Sequence, residues 1–578
     1  MADATATFGR RPAQPAAHRL SGEALLLAGL FAYVAIVAIL PLGRLLAEAL
    51  RPGADGALLG IAAETLASRS VARALNNTVQ AALLSTAVST ILGTALTLLL
   101  RLTDLPGRRA LLFLALLPML IPPQISALAW IELTGPSSTL LALFGLAPAP
   151  GQTNPIYSMS GIVWVMGLEH MPLVLLSVAA GISVLPQDLV EAARIAGARR
   201  SRIVTGIVLP AILPAVLAGA ALAFVSAIGN FGVPALLGIP GRITLLTTLI
   251  YQRLNGFGPS VLGEVAAITL LLVSLAAAGL LLRYALVRRA GTLDRSGASI
   301  VPMKLGRGRM PAAAATWLAL AVLSVLPLLA LLSSALVPAI GMKLGWDTLT
   351  LDNFARLTHS ETVRRAFANS FALASIAAIL SALVSVALSY AAVIRGRGVA
   401  RFLDAAAEAP YAVPGTVLAL GVIIVFLPPL PLLGVSIYGS FWILLVAYLG
   451  RFLLLAQRPV AGAMQSLDPA VDEAARIVGA QPLRRLASVV APAVLPAAMA
   501  GALLVFMTAF NELTLSALLW STGNETLGVL VFQLQYEGNS TGAAALATVI
   551  VAVTLLLAAA AGALGSRLAP GAAPWKVN

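Results

Sequence analysis

Apolar runs of about 20 residues recur along the whole chain, separated by short polar or basic stretches. A helix of that length crosses the hydrocarbon core of a bilayer, because it closes all its backbone hydrogen bonds within the segment. Only 10% of the 578 residues are charged, against roughly 25% in soluble domains, and 59% are hydrophobic. The ten-residue in-out alternation of a transmembrane barrel is absent from the sequence. These features predict an all-α polytopic membrane protein with about 12 transmembrane helices. The net charge of +14 does not imply a nucleic-acid partner, because the basic residues gather in alternate loops. Without cysteine, disulfide and thiolate chemistry are excluded.

The runs are organised as a repeat. EAARIAGARRSRIVTGIVLP, from Glu191 to Pro210, returns as EAARIVGAQPLRRLASVVAP, from Glu473 to Pro492, an offset of 282 residues. Pro214 then meets Pro496, and Gly219 meets Gly501. Upstream, Asn77-Thr78 matches Asn369-Ser370, and Pro118 and Pro122 match Pro410 and Pro414, at an offset of 292. A gap of about ten residues therefore falls between the third and fourth spans of the two halves. Six spans separate the two basic segments, which puts both on one membrane side and makes the halves parallel repeats. Within each segment, Glu-Ala-Ala-Arg-Ile favours helix, and Gly197 or Gly479 can end it in a left-handed turn.

These two segments resemble the EAA loop of ABC importer permeases. The first fits that pattern throughout; the second has Val489 for Ile and Ala491 for Leu. The resemblance implies the type I ABC importer permease fold, with two six-helix halves fused in one chain. It implies ATPase coupling through Glu191, Ala192, Ala193, Gly197 and Pro210, and through Glu473, Ala474, Ala475, Gly479 and Pro492. The partners implied are two ATP-binding subunits, a periplasmic or extracellular substrate-binding protein and the lipid bilayer. ATP and Mg would be used by the partner ATPase, with no cofactor on this chain and no catalytic residue, since no GxxxxGK[ST] motif is present. The place implied is the bacterial plasma (inner) membrane. Phe224–Leu254 and Phe506–Trp520 look like fused permeases of the ferric-iron group, which suggests ferric iron as substrate. The 2-aminoethylphosphonate, thiamine and polyamine relatives share the scaffold and stand as alternatives.

The predicted layout is a cytoplasmic tail (1–20), a first helix with its outer loop (21–72) and a first transmembrane domain (73–287). A basic linker (288–311), a seventh helix and loop (312–364), a second domain (365–566) and a tail (567–578) follow. Arg10, Arg11 and Arg19 before Ala24–Leu40 mimic a signal peptide, but the apolar run is too long and many spans follow. Spans 5 and 11 are predicted at 207–237 and up to Trp520, and the segment from Gly238 to Pro259 as an outer loop. The proline pairs should bend spans 3 and 9. Both EAA loops and the linker fall on the basic side; loops 135–158, 428–438 and 522–541 carry no Lys or Arg. Arg69, Arg73, Arg364 and Arg365 depart from this pattern.

Four polar residues at membrane depth are pathway candidates: Glu169, Asn230, Arg451 and Glu512. Arg451 stands where Glu169 stands in the first half, and Glu512 where Asn230 stands. Such groups face a cavity or a partner, or reach the interface near a span end. His18, His170 and His359 show no clustered ligand spacing, so no metal site is predicted. Tyr157, Tyr251 and Asp347 read as solvated outer-loop residues. A second class, the major-facilitator secondary transporters, is suggested by Asp104-Leu105-Pro106-Gly107-Arg108-Arg109, which partly resembles that family's loop after span 2.

Overall fold

The computed structural model describes residues 22–52, 56–57, 59–149, 151–257, 261–289, 302–394, 398–431 and 434–568. The expected N-terminal tail, most of the linker, Arg395 and Arg397 of the basic turn, and the C-terminal tail from residue 569 lie outside these. The first half comprises α1 (Gly22–Val34), α2 (Leu40–Ala49), α3 (Gly60–Ala67), α4 (Arg69–Leu102), α5 (Arg108–Leu120), α6 (Pro123–Thr134) and α7 (Thr139–Leu143). It continues with α8 (Met159–Ser183), α9 (Gln187–Ile195), α10 (Arg200–Ile203), α11 (Leu209–Gly229), α12 (Leu246–Phe257) and α13 (Leu262–Arg289). The second half comprises α14 (Arg309–Leu320), α15 (Leu326–Ala335), α16 (Asp352–His359), α17 (Glu361–Ser389), α18 (Gly398–Ala412) and α19 (Gly415–Phe426). Then come α20 (Phe441–Gln465), α21 (Pro469–Ile477), α22 (Pro482–Arg485), α23 (Ala491–Phe510), α24 (Ser516–Leu519), α25 (Leu527–Tyr536) and α26 (Ser540–Leu568). The short α7 fills the ten-residue gap between the two offsets.

Among the described residues, ten helices are long and apolar enough to cross a membrane, and two bent pairs raise the number to twelve if each is one span. The bends are sharper than kinks. α5 turns into α6 through 104°, and α18 into α19 through 111°. Pro122 and Pro414 sit at these corners. Neither has an N–H to continue the helix, and each disfavours helical backbone in the residue before it. Ile121 is accordingly extended, at φ −93° and ψ 131°.

Each half is built on one long helix. α4 packs on α8 and α11, and α17 packs on α20 and α23. Small residues let the backbones approach. A Cβ on Gly93 would lie 2.8 Å from the Met171 carbonyl, and the Ser89 hydroxyl donates to the Gly167 carbonyl at 2.9 Å. The first span of each half is exchanged: α2 packs on α19 of the other half, and α15 packs on α6. Two glycines make the first exchange possible. A Cβ on Gly421 would sit 2.6 Å from the Pro41 carbonyl, and one on Gly450 2.5 Å from that of Val37. Gly450→Ala should therefore push the first span off the second half, costing about 1–3 kcal/mol. Thermal unfolding in detergent checks this; an unchanged midpoint would show that the first span does not seat there.

Three expectations are corrected. Spans 5 and 11 end at Gly229 and Phe510, because Asn230 and Glu512 turn the chain there, although the sequence beyond each turn is mainly apolar. The expected loop at 238–259 contains α12, whose Leu246 and Ile250 are fully buried in the main core. Spans 2 and 8 begin earlier than Asn77 and Asn369, at Arg69 and Glu361.

Candidate functional site

The two EAA loops have the same backbone. α9 and α21 each end in a glycine of positive φ, Gly197 at +76° and Gly479 at +80°. The Gly197 amide donates to the Arg194 carbonyl at 3.0 Å and that of Ala198 to the Ala193 carbonyl at 2.9 Å. Gly479 donates to Arg476 at 3.0 Å, and Ala480 to Ala475 at 3.1 Å. This crossed pair is the Schellman helix stop, which satisfies two carbonyls that a helix end otherwise leaves open. Ala193 and Ala475, the last letters of each EAA, accept the outer bond of each pair. Pro210 and Pro492 lie in the first turns of α11 and α23. Each loop also shows solvent the same apolar side chain: Ile195 is 89% exposed and Ile477 85%. Glu191 and Glu473 are each the fifth residue of their helix; the first-turn acids are Asp188 and Asp472. Both glutamates thus lie past the first turn, beyond which the helix dipole has little effect.

Both loops lie at the same end of the molecule as the chain's connections. Met303, at the end of the linker, pairs with Thr103 and packs among Val190 and Ile203 beneath the first loop. Gly22 at the start of α1 touches Leu483 of the second loop. Asp104, beside the first loop, accepts from the Leu305 amide at 2.8 Å and lies 3.6 Å from Arg309. The amide, and then the arginine, hold its carboxyl below the usual carboxylate range.

Three of the four polar candidates at membrane depth, Asn230, Arg451 and Glu512, hydrogen-bond to the broken backbone. Asn230 donates to Glu169 at 2.8 Å and accepts from the Val233 amide at 3.2 Å. Glu512 accepts from the amides of Leu515 and Ser516 at 2.8 and 3.0 Å. The equivalent pair thus does one job, turning the chain after α11 and after α23. Arg451 donates to the carbonyls of Pro410, at 2.9 Å, Tyr411, at 3.0 Å, and Val413, and its guanidinium lies 5.2 Å from the Tyr411 ring centre. It closes the α18–α19 corner. Glu169 does not do this in the first half; it borders a small cavity with Pro118, Ser126, Trp130 and Ser324.

Sequence reasoning missed the boundary between the halves. Buried Gln124 on α6 donates to the Asn511 carbonyl at 3.2 Å. Phe231 meets Tyr251 at 5.2 Å and Phe532 at 6.3 Å, and Phe532 meets Tyr536 at 5.5 Å, between ring centres. Tyr251 is therefore part of an aromatic cluster that joins the halves and not a solvated loop residue. A cavity of about 140 Å³ beside it is lined by Tyr251, Trp520, Phe532, Tyr536 and Glu537. α12 and α25 bring these rings together, and the Asn-Thr/Ser repeat anchors both helices. Thr78 accepts from the Leu246 amide and Ser370 from the Leu527 amide, each at 2.9 Å. Asn77 donates to the Thr244 carbonyl and Asn369 to that of Glu525, each at 3.0 Å.

Two stretches of the chain, residues 89–292 and 384–572, match the family described as binding-protein-dependent transport system inner membrane component. The chain belongs to that family. The match falls on both halves, so this is a fused permease with two transmembrane domains, in a multi-pass inner-membrane setting. It is 28% identical over 533 residues to a probable ABC transporter permease protein, y4fN, of Sinorhizobium fredii, covering 90% of this chain and 92% of the relative. It is 23% identical over 494 residues to the Fe(3+)-transport system permease protein FbpB 2 of Haemophilus influenzae, covering 84% and 89%. A putative 2-aminoethylphosphonate transport system permease protein, PhnU, of Salmonella typhimurium is 29% identical over 218 residues, covering 37% of this chain and 75% of that one. The family match leaves the major-facilitator reading of Asp104–Arg109 without support; that turn is the seat of the linker's end.

Proposed function

We propose that this permease imports ferric iron and is driven by two separate ATP-binding subunits, one seated on α9–α10 and one on α21–α22. The observation that carries the coupling role is the matched pair of Schellman turns, each presenting an exposed isoleucine at one end of the molecule. An apolar side chain held out on a stiff turn suits a groove on a partner, and two copies suit an ATPase dimer. ATP and Mg would be used there, with the permease supplying the pathway and the lever. A binding protein would deliver substrate at the opposite end, where the aromatic cluster joins the halves. In alternating access, closure of the ATPase dimer would draw the two loops together and part the halves at that cluster.

Ferric iron is favoured over an organic phosphonate by the relatives' extent. The match to the iron permease spans both halves, whereas that to PhnU covers 37% of this chain, less than one half. The iron reading takes no support from a ligand cluster, since the described residues hold none; the binding protein would carry the ion. The test is purification from native membranes followed by uptake into vesicles. An ATPase should copurify, and uptake of iron should require internal ATP and the iron-loaded binding protein. Uptake driven by an ion gradient with no ATPase present would overturn the coupling role. A binding protein that holds an aminoethylphosphonate and no iron would overturn the substrate alone.

A further inference from the structure

The two EAA loops share a backbone but differ on their buried side. Beneath the first, Leu98, Val190 and Ile203 meet in an apolar cluster with Met303 of the linker. The equivalent places in the second half hold Tyr390, Asp472 and Arg485, at offsets of 292, 282 and 282 residues. All three are buried. The Tyr390 hydroxyl donates to Asp472 Oδ1 at 3.1 Å, and Arg485 Nε lies 3.6 Å from the same oxygen. Asp472 is on α21 and Arg485 on α22, so the ion pair closes across the Gly479 turn. Tyr390 follows the last residue of α17 and ties both to the long helix of the second half. The start of α21 is fastened as well, since Asp468 accepts from the Ala470 amide at 2.9 Å, whereas α9 begins at Pro186 without a side-chain cap.

We propose that Tyr390, Asp472 and Arg485 are positioning residues that fix the direction of the second EAA loop, while the first loop rests on an apolar seat and on the linker. This rests on the coupling role given above. Stability does not account for the triad. A buried ion pair is often matched or bettered by apolar side chains of similar volume, and the first half shows such a set in the same place. What the polar set adds is direction, through the hydrogen bond from Tyr390 to Asp472, which weakens steeply off its axis, with Arg485 added as an ion pair; apolar contact is non-directional. The second loop therefore moves with α17 as one piece. The first can slide on its seat and follow the linker. The permease has one stiff lever and one compliant one.

The test copies the first half into the second, as Tyr390→Leu with Asp472→Val and Arg485→Ile. This triple variant should assemble with the ATPase and unfold at the wild-type temperature or above, but substrate carried per ATP hydrolysed should fall about fivefold or more. The chain has no cysteine, so spin labels can be placed singly. Labels at positions 466 and 480 should give a broader distance distribution in the variant, and labels at 184 and 198 in the first half should not change. Asp472→Asn, which strips the charge facing Arg485, should lower both coupling and stability, and Asp472→Glu should restore most of the coupling. A triple variant with wild-type transport per ATP and an unbroadened 466–480 distribution would overturn the proposal. Failure of the wild-type protein to bind any ATPase would instead overturn the coupling role on which it rests.

Discussion

The double substitution Gly197→Val with Gly479→Val is expected to leave a folded, inserted permease whose ATP-driven uptake is lower by at least about tenfold. The structure makes this a clean experiment. A Cβ at either glycine would meet nothing within 4 Å, so no core contact is disturbed. The whole effect falls on the backbone. Both residues sit at positive φ, where a side chain costs roughly 1–2 kcal/mol, and valine adds its own stiffness at χ1. Relief of that strain would unwind the crossed hydrogen bonds to Ala193 and Ala475 and swing Ile195 and Ile477 away from their common orientation. Two turns strained in this way act on both ATPase contacts at once. The readouts are uptake in vesicles, ATPase copurification and thermal unfolding. Normal uptake by the double variant would remove the EAA loops from the coupling path. Because the two turns have nearly the same φ and equally open surroundings, the single variants should lose similar amounts of uptake.

How much of this could be read from the chain depends on whether a feature repeats. The Schellman turns were legible because glycine recurs at one offset after the same five residues, and only glycine fits that backbone cheaply. The proline corners were legible as bends for the same reason, but not their size. Proline reports a missing N–H, and whether the helix kinks or turns through 104° depends on what receives the loose carbonyls. The ends of α11 and α23 were hidden because Phe231–Leu237 is apolar and Leu513–Leu519 is interrupted only by the small hydroxyls of Thr514 and Ser516. Irregular backbone is tolerated at membrane depth when it is buried in protein, and hydropathy cannot tell that from helix. The Asn77 and Asn369 pairs were visible as repeats, yet their task of anchoring α12 and α25 spans more than 150 residues and leaves no local pattern. The polar triad under the second loop also leaves a mark in the sequence. Setting 190 beside 472 and 203 beside 485 already exchanges two apolar residues for an acid and a base.

Arg451→Met should lower thermal stability more than any change at Glu169, and should abolish uptake with it. Arg451 occupies a place where the first half has an acid, so the two halves must solve the same corner differently. Helix geometry would have the Pro410 carbonyl receive the amide of residue 414, but that residue is proline and has none. The Arg451 guanidinium supplies the donor instead, and also serves the carbonyls of Tyr411 and Val413. Lipid offers no substitute. Each buried carbonyl left without a donor costs roughly 1–3 kcal/mol, and methionine, of similar length, provides none. The loss should appear as disorder at the α18–α19 corner, against which the first span is seated through Gly421. Arg451→Lys keeps three donors on one nitrogen, as all three contacts use Nη1 alone, and should recover part of the stability. Glu169→Gln retains an oxygen to accept from Asn230 and should be mild by comparison. Unfolding midpoints for the three variants in one detergent decide the matter. An Arg451→Met protein as stable as wild type would show that the corner is held by packing alone, and that Arg451 is kept for the pathway.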